Sequence, residues 1–304
     1  MSSTLLHLRI PFSYFLLPVY LFALGISTDF AQSRIFWSFA LIHFMLFPAT
    51  NGYNSYFDKD EKSIGGLKNP PPVNASLYYL SLLLDVTAII IAYWKISFLF
   101  SAMILIFGLV SKAYSHPCIR LKKYPILGWL TVGFFQGCFV FMMCYVGIND
   151  VEIEKLMTGR IIIPASLTTL MLLGSYPMTQ IYQHDEDAKR GDKTISMFLG
   201  IRGTFIFVQA IFALATIAFI FYFDKFFGLE IGSVFLLSLM PVVLFMMVWC
   251  NQVWKDSSKA DYSRTMWLNF ISATCLNTFF IYFLLKNNHI VKYLSPLLPD
   301  CCFH

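Results

Sequence analysis

The chain has 304 residues, of which 58% are hydrophobic and only 13% charged, with 32 Phe, a mean hydropathy of +0.66 and a net charge of +5. That balance excludes a water-soluble globular protein. Its modest positive charge is spread along an apolar chain, and no nucleic-acid partner is expected.

Apolar runs long enough to cross a hydrocarbon core, which takes about 20 helical residues, fall at 11–28, 34–54, 75–94, 96–114, 124–148, 161–183, 203–223, 231–253 and 265–285. No long polar segment interrupts them. The expected fold is therefore an all-α integral membrane protein of nine transmembrane helices, forming one domain over 1–304. The first run lacks a small-residue cleavage site and is too long for a signal-peptide core, so it is expected to be retained. With the N-terminus and the even-numbered connections on one side, that side holds 15 of the 22 Lys and Arg. The positive-inside rule places it in the cytoplasm and the C-terminus outside. The expected location is a bacterial inner membrane.

In chain order, Arg9 stands at the head of helix 1, where it either orients a carboxylate or phenol or snorkels to the headgroups. After helix 2 comes Asn54-Ser-Tyr-Phe-Asp58-Lys-Asp60-Glu61. Asn54 and Asp58 share a face if the helix continues, and Asp60 and Glu61 follow where it unwinds toward Gly65-Gly66. Oxygen donors of this kind suit magnesium; the alternative is a solvated loop capping the helix. Lys68 precedes Asn69-Pro70-Pro71-Pro72, a stiff stretch that holds a loop over a cavity or simply connects to helix 3. Asp85 lies mid-helix 3, where a lone carboxylate is costly, so it is expected to be paired or protonated, in a structural more than a catalytic role.

The second cluster follows helix 6: Tyr182, Gln183, His184, Asp185, Glu186, Asp187, then Lys189-Arg190-Gly191-Asp192-Lys193-Thr194. Gln183 and Asp187 share a helical face, and Gly191 ends the helix. The two clusters hold seven of the 17 acidic residues. Four crossings separate them, so both reach the same membrane face and one site can use both. His116 and His184 are candidate proton acceptors or plain interfacial residues. The seven cysteines show no zinc spacing and mostly read as small hydrophobes. Cys301-Cys302-Phe303-His304 matches a prenylation box in form only, and a metal role with His289 and His304 ranks below a mobile tail.

On these residues the chain resembles the UbiA superfamily of intramembrane prenyltransferases, whose nine helices surround a central cavity with aspartate-rich motifs after helices 2 and 6. The resemblance covers essentially the whole chain. The first motif, Asn then two Asp at steps of four, matches at Asn54 and Asp58 and meets Lys62 at the third place. The second, two Asp four apart, meets Gln183 and matches at Asp187, with Asp185 between. Leu8-Arg9-Ile10-Pro11, Tyr114-Ser115-His116-Pro117 with Arg120, Leu121 and Lys122, and Phe198-Leu199-Gly200 add to the likeness.

The resemblance implies Mg2+ held by Asn54, Asp58, Asp60, Asp185 and Asp187, with Asn54, Asp58 and Asp187 central to catalysis. It implies a polyprenyl diphosphate met by Lys68, Arg120, Lys122, Lys189 and Lys193, and Arg9, Tyr114, Tyr182 and Gln183 near the substrates. Aromatic walls, including Tyr53, Phe57, Tyr114 and Tyr182, are expected to shield an allylic cation. The implied activity is prenyl transfer to a lipophilic acceptor, aromatic by preference. A terpene cyclase using no acceptor is the enzymatic alternative, and a lipid-binding or transport protein the non-enzymatic one.

Overall fold

The computed structural model describes residues 3–288; His289, Cys301, Cys302 and His304 lie outside the described residues. Helix α1 is bent, with Ser3–Phe15 meeting Leu17–Gly25 at 43°. It is followed by α2 (Gln32–Asp58), α3 (Ala75–Lys95), α4 (Phe98–Ser115), α5 (Pro125–Asn149), α6 (Gly159–Gln180), α7 (Ile195–Phe227), α8 (Leu229–Lys255) and α9 (Tyr262–Asn287). Among the described residues eight helices are long and apolar enough to cross a membrane, and the bent α1 makes a ninth. An all-helical membrane fold follows from solvent physics, because lipid offers no partner for a backbone N–H or C=O and each span must satisfy its own.

Proline and glycine set where the helices bend. Arg9 adopts a left-handed conformation (φ 46°) before Pro11, and Pro18 opens the second segment of α1. Proline can start a helix because the N–H it lacks would have no partner there. Gly200, at φ 68° and ψ 168°, breaks the first turn of α7 from the rest. Two single π-turns interrupt otherwise regular spans, Ile42–Leu46 in α2 and Phe135–Phe139 in α5. The second is secured by α6: the Cys138 N–H donates to Thr169 Oγ1 at 2.9 Å, and Gly137 lies directly against the Thr168–Thr169 backbone.

The spans close into a ring. α1 packs on α5 and α9, α9 on α8, α8 on α7, α7 on α6 and α6 on α5, while α2, α3 and α4 pack as a group. At the end remote from the acidic clusters the bundle is filled with phenylalanine. Phe22 stacks on Phe280 at 4.7 Å and meets Phe141 at 5.3 Å and Phe219 at 5.7 Å. Phe223, Phe235, Phe279 and Phe283 extend the cluster, all at most 1% exposed. In lipid such rings gain little from leaving the solvent, so dispersion and ring geometry carry the association, about 0.5–1.5 kcal/mol per aromatic pair.

Three boundaries differ from the hydropathy reading, and each difference matters for the site. α2 runs on to Asp58 because its last turns, though polar, remain packed. α6 stops at Gln180, whose side chain instead accepts the Ser196 N–H at 3.4 Å. α7 starts at Ile195, with Thr194 Oγ1 accepting from the Met197 N–H at 3.4 Å. Asp85 is paired with Lys112 across α3 and α4, as a lone intramembrane carboxylate requires.

Candidate active site

The last turns of α2 present Asn51, Asn54 and Asp58 on one face, toward the interior cavity. Tyr53 and Phe57, on the flank of the same turns, pack on Tyr78 of α3 at 5.8 and 6.1 Å and do not line it. Lys59 ends the helix in a left-handed conformation (φ 50°), after which Asp60 also lines the cavity. On the other side, the Gln183 carbonyl accepts the Asp187 N–H at 2.9 Å and so opens a short helix, His184–Lys189. Three acids in its first turn suit the positive end of the helix dipole. Of these, Asp187 (7% exposed) reaches the cavity, while Asp185 is exposed and pairs with Lys62 at 2.7 Å.

Three cations stand between these acids. Lys122, 8% exposed, contacts both Asp58 carboxylate oxygens and lies 3.3 Å from Asn54 Oδ1. Arg120 donates from Nε and Nη2 to the two oxygens of Asp192, at 2.7 and 2.8 Å, and from Nη2 to Asp58 at 3.4 Å. Arg190 contacts Asp60, donates to Asp187 Oδ1 at 2.6 Å, and reaches Asp192 at 3.5 Å. Acid and base alternate around the mouth, so neither sign accumulates. Burial pushes the Asp187 carboxyl up to about 6, against the pull of Arg190 and Lys122. Asp60 is also raised, by burial and then by the charge of Asp58, with Arg190 opposing. Arg190 stays firmly protonated: burial disfavours its charge, but Asp58, Asp60 and Asp187 outweigh it.

The structure gathers Asn54, Asp58, Asp60, Asp187, Lys122, Arg9, Tyr114, Tyr182 and Gln183 around one cavity, with Arg120 in the same ionic network. It does not gather the rest. Lys68 and Lys193 are exposed away from the cavity, and Lys189 pairs with Glu186 at 3.0 Å. Arg9 donates to the Gly65 carbonyl at 3.1 Å and to Asn51 O at 3.3 Å, tying the loop after α2 over the mouth. His184 Nε2 meets Ser196 Oγ at 2.8 Å and His116 rests against Phe57, so neither lines the cavity. Two central residues were not singled out from sequence, Arg190 and Asp192. The spacing of Arg190 three residues after Asp187, on the same helical face, was the available signal.

Below the mouth lies a cavity of about 330 Å³. Phe12, Phe15, Phe47, Phe107 and Phe135 supply apolar wall, and Tyr114, hydrogen-bonded to Tyr176, lies just beneath the acids. Ile64 and Gly65 of the loop after α2 also line it, and a Cβ on Gly65 would come 2.7 Å from the Phe12 ring.

Among the described residues no three His, Cys, Asp or Glu side chains converge tightly enough to chelate a metal unaided. The oxygens lie instead in two sets, Asn54 with Asp58 and Asp60 with Asp187, each bridged by a basic side chain. Hard oxygen donors already arranged around positive charge fit magnesium, which takes the rest of its shell from water and phosphate.

The sequence matches the UbiA prenyltransferase family over residues 15–271. No curated protein sequence matches the chain. A UbiA homolog from Archaeoglobus fulgidus, bound to DMAPP and Mg2+, is similar in structure with a TM-score of 0.66 at 18% identity, over 94% of this chain and 99% of that one. The same homolog bound to GPP and Mg2+ gives 0.63 at 17% identity, over 93% and 99%. A structure of digeranylgeranylglyceryl phosphate synthase gives 0.60 at 18%, over 93% and 98%. At these identities the likeness establishes the fold.

Proposed function

The chain belongs to the UbiA prenyltransferase family, and on that premise we propose that it transfers a prenyl group from a polyprenyl diphosphate to a lipophilic, aromatic acceptor, releasing diphosphate with the help of Mg2+. The observation that carries this reading is the convergence of two acidic segments over 120 residues apart. With Lys122, Arg120 and Arg190 they form one mouth above an aromatic-walled cavity. The structural relatives that bind DMAPP or GPP with Mg2+ support it.

Magnesium bound at Asn54, Asp58, Asp60 and Asp187 would offset the charge of the diphosphate and stabilise it as a leaving group. Lys122, Arg120 and Arg190 exchange carboxylate oxygens for phosphate oxygens, which accept the same bidentate contacts and carry higher charge. Tyr114, Tyr176, Phe107 and Phe135 line the cavity where an allylic cation would form, and aromatic faces stabilise such a cation. The excess of Lys and Arg on the connections at this end supports a mouth facing the cytoplasm and a C-terminus outside.

The test is diphosphate release by purified protein given geranyl diphosphate and Mg2+, with and without a phenolic acceptor. Asp58→Ala and Asp187→Ala are each expected to lower release about a hundredfold or more while remaining folded. Parent-like rates in either variant overturn the assignment. A cyclic hydrocarbon formed without acceptor would make the protein a cyclase instead, and no release at all would favour a binding or transport role.

A further inference from the structure

The cavity reaches only part of the way across the membrane. Its lowest lining side chains are Phe47 on α2, Phe107 on α4, Gln136 in the π-turn of α5, Met171 on α6 and Leu276 on α9. With a rise of about 1.5 Å per residue, they lie about 16, 12, 16, 14 and 21 Å along their helices from Asp58, Ser115, Pro125, Gln180 and Tyr262 respectively. Tyr262 is near the mouth, its ring 5.3 Å from that of Tyr182. A hydrocarbon core is about 30 Å thick, so the space ends near its middle.

What ends it is packed protein. One turn further down the same helices, Phe22 on α1, His43 on α2, Ile104 on α4, Thr168 on α6 and Phe280 on α9 are at most 2% exposed, and none of them lines the cavity. Phe22 stacks on Phe280, His43 meets Phe47 at 5.3 Å and Phe47 meets Phe107 at 6.1 Å. The phenylalanine-filled end of the bundle is thus the cavity floor. Two seams beside the cavity are tied: Tyr14 Oη and Thr274 Oγ1 meet at 2.9 Å across α1 and α9, and Trp129 Nε1 donates to the Leu173 carbonyl at 2.8 Å across α5 and α6.

This depth sets a length. An isoprene unit adds four main-chain carbon–carbon bonds of about 1.5 Å, which zigzag to about 5 Å when extended. Lys122 contacts Asn54 and Asp58, so a diphosphate held there starts its prenyl chain near Asn54. About 10 Å of α2 then separates Asn54 from Phe47, enough for two extended units. A third reaches the floor toward Leu276, and a fourth meets the packed rings. Lipid is as apolar as the cavity, so drawing a fourth unit out of the bilayer gains little to set against displacing close-packed side chains.

We infer, resting on the prenyltransferase reading, that the site takes a prenyl diphosphate of two or three isoprene units and discriminates against one of four or more. Phe47, Phe107 and Leu276, backed by Phe22, His43 and Phe280, set that limit. Ala273, 3% exposed and lining the cavity about 16 Å along α9 from Tyr262, is the position where added bulk shortens it.

The experiment is displacement of labelled inorganic pyrophosphate from the full-length protein in lipid nanodiscs with Mg2+, by geranyl, farnesyl and geranylgeranyl diphosphate compared at equal mole fraction in the lipid. Geranyl and farnesyl diphosphate are each expected to displace the label at a mole fraction at least about tenfold lower than geranylgeranyl diphosphate does. Ala273→Leu is expected to weaken farnesyl diphosphate at least about threefold relative to geranyl diphosphate, and Leu276→Ala to strengthen geranylgeranyl diphosphate by about the same factor relative to farnesyl diphosphate. Direct pyrophosphate affinity, measured on the same variants, should stay at the parent's value. Geranylgeranyl diphosphate displacing the label as well as farnesyl diphosphate does in the parent, or a length ranking unchanged in both variants, overturns the proposal. If the parent ranks the three by length as expected yet releases diphosphate from none of them, with or without a phenolic acceptor, the prenyltransferase reading fails and the length-limited site stands.

Discussion

Gly137→Ala tests the seam between α5 and α6 on which the geometry of the cavity wall depends. A Cβ on Gly137 would come 2.5 Å from Thr169 Cα, 2.6 Å from Thr169 N and 2.9 Å from the Thr168 carbonyl carbon. All three are backbone atoms, so no rotamer change relieves the clash. Carbon contacts are comfortable near 3.5 Å, so the helices must part by about 1 Å. Overpacking of this kind costs about 1–3 kcal/mol. The same separation would stretch the Cys138 N–H to Thr169 Oγ1 bond from 2.9 Å beyond bonding range, adding about 0.5–1.5 kcal/mol. Gly203→Ala is the control: its Cβ would meet only Leu199 Cβ at 3.5 Å, and alanine's helix propensity adds up to about 1 kcal/mol. Thermal unfolding of the detergent-purified proteins should therefore rank Gly203→Ala at or above the parent and Gly137→Ala clearly below it. A Gly137→Ala protein as stable as the parent would refute the close approach of α5 and α6.

Asp192→Ala removes the bidentate partner of Arg120 and one contact of Arg190, leaving Arg120 its 3.4 Å contact to Asp58 and a 3.5 Å bond to the Ser115 carbonyl. Inorganic pyrophosphate, titrated as a product inhibitor, should bind about tenfold more weakly; unchanged inhibition would mean that Asp192 does not position these cations. Lys62→Ala breaks only the exposed pair with Asp185, so diphosphate release should stay within about twofold of the parent, and a large loss would place Lys62 in the site. Cysteines placed singly at Lys62, Lys193 and Glu152 in a cysteine-free background should divide by side. The first two should label with an impermeant reagent from the cytoplasm and the third only from outside, and labelling of 62 and 193 from opposite sides would contradict the shared mouth.

The membrane class, the number of spans and the pairing of the two acidic clusters at one end were all legible in the sequence. They depend on the length of apolar runs and the parity of crossings, which need no tertiary information. Asn54 and Asp58 were legible for a related reason: a helix places residues four apart on one face wherever it packs. The direction in which the loop residues turn was not. Asp60 and Asp185 looked equivalent, yet the left-handed turn at Lys59 leaves Asp60 lining the cavity while Asp185 faces solvent with Lys62. Among the basic residues the choice of Lys122 and Arg190 over Lys68, Lys189 and Lys193 follows from which loops touch, including the Lys193 N–H bond to the Lys123 carbonyl. Tyr53 and Phe57 were excluded from the cavity by the packing of α3 on α2, and Gln136 was admitted by a π-turn that no periodicity foretells. Hydropathy reports how each segment partitions between water and lipid, whereas these choices are decided by contacts between segments far apart in the chain.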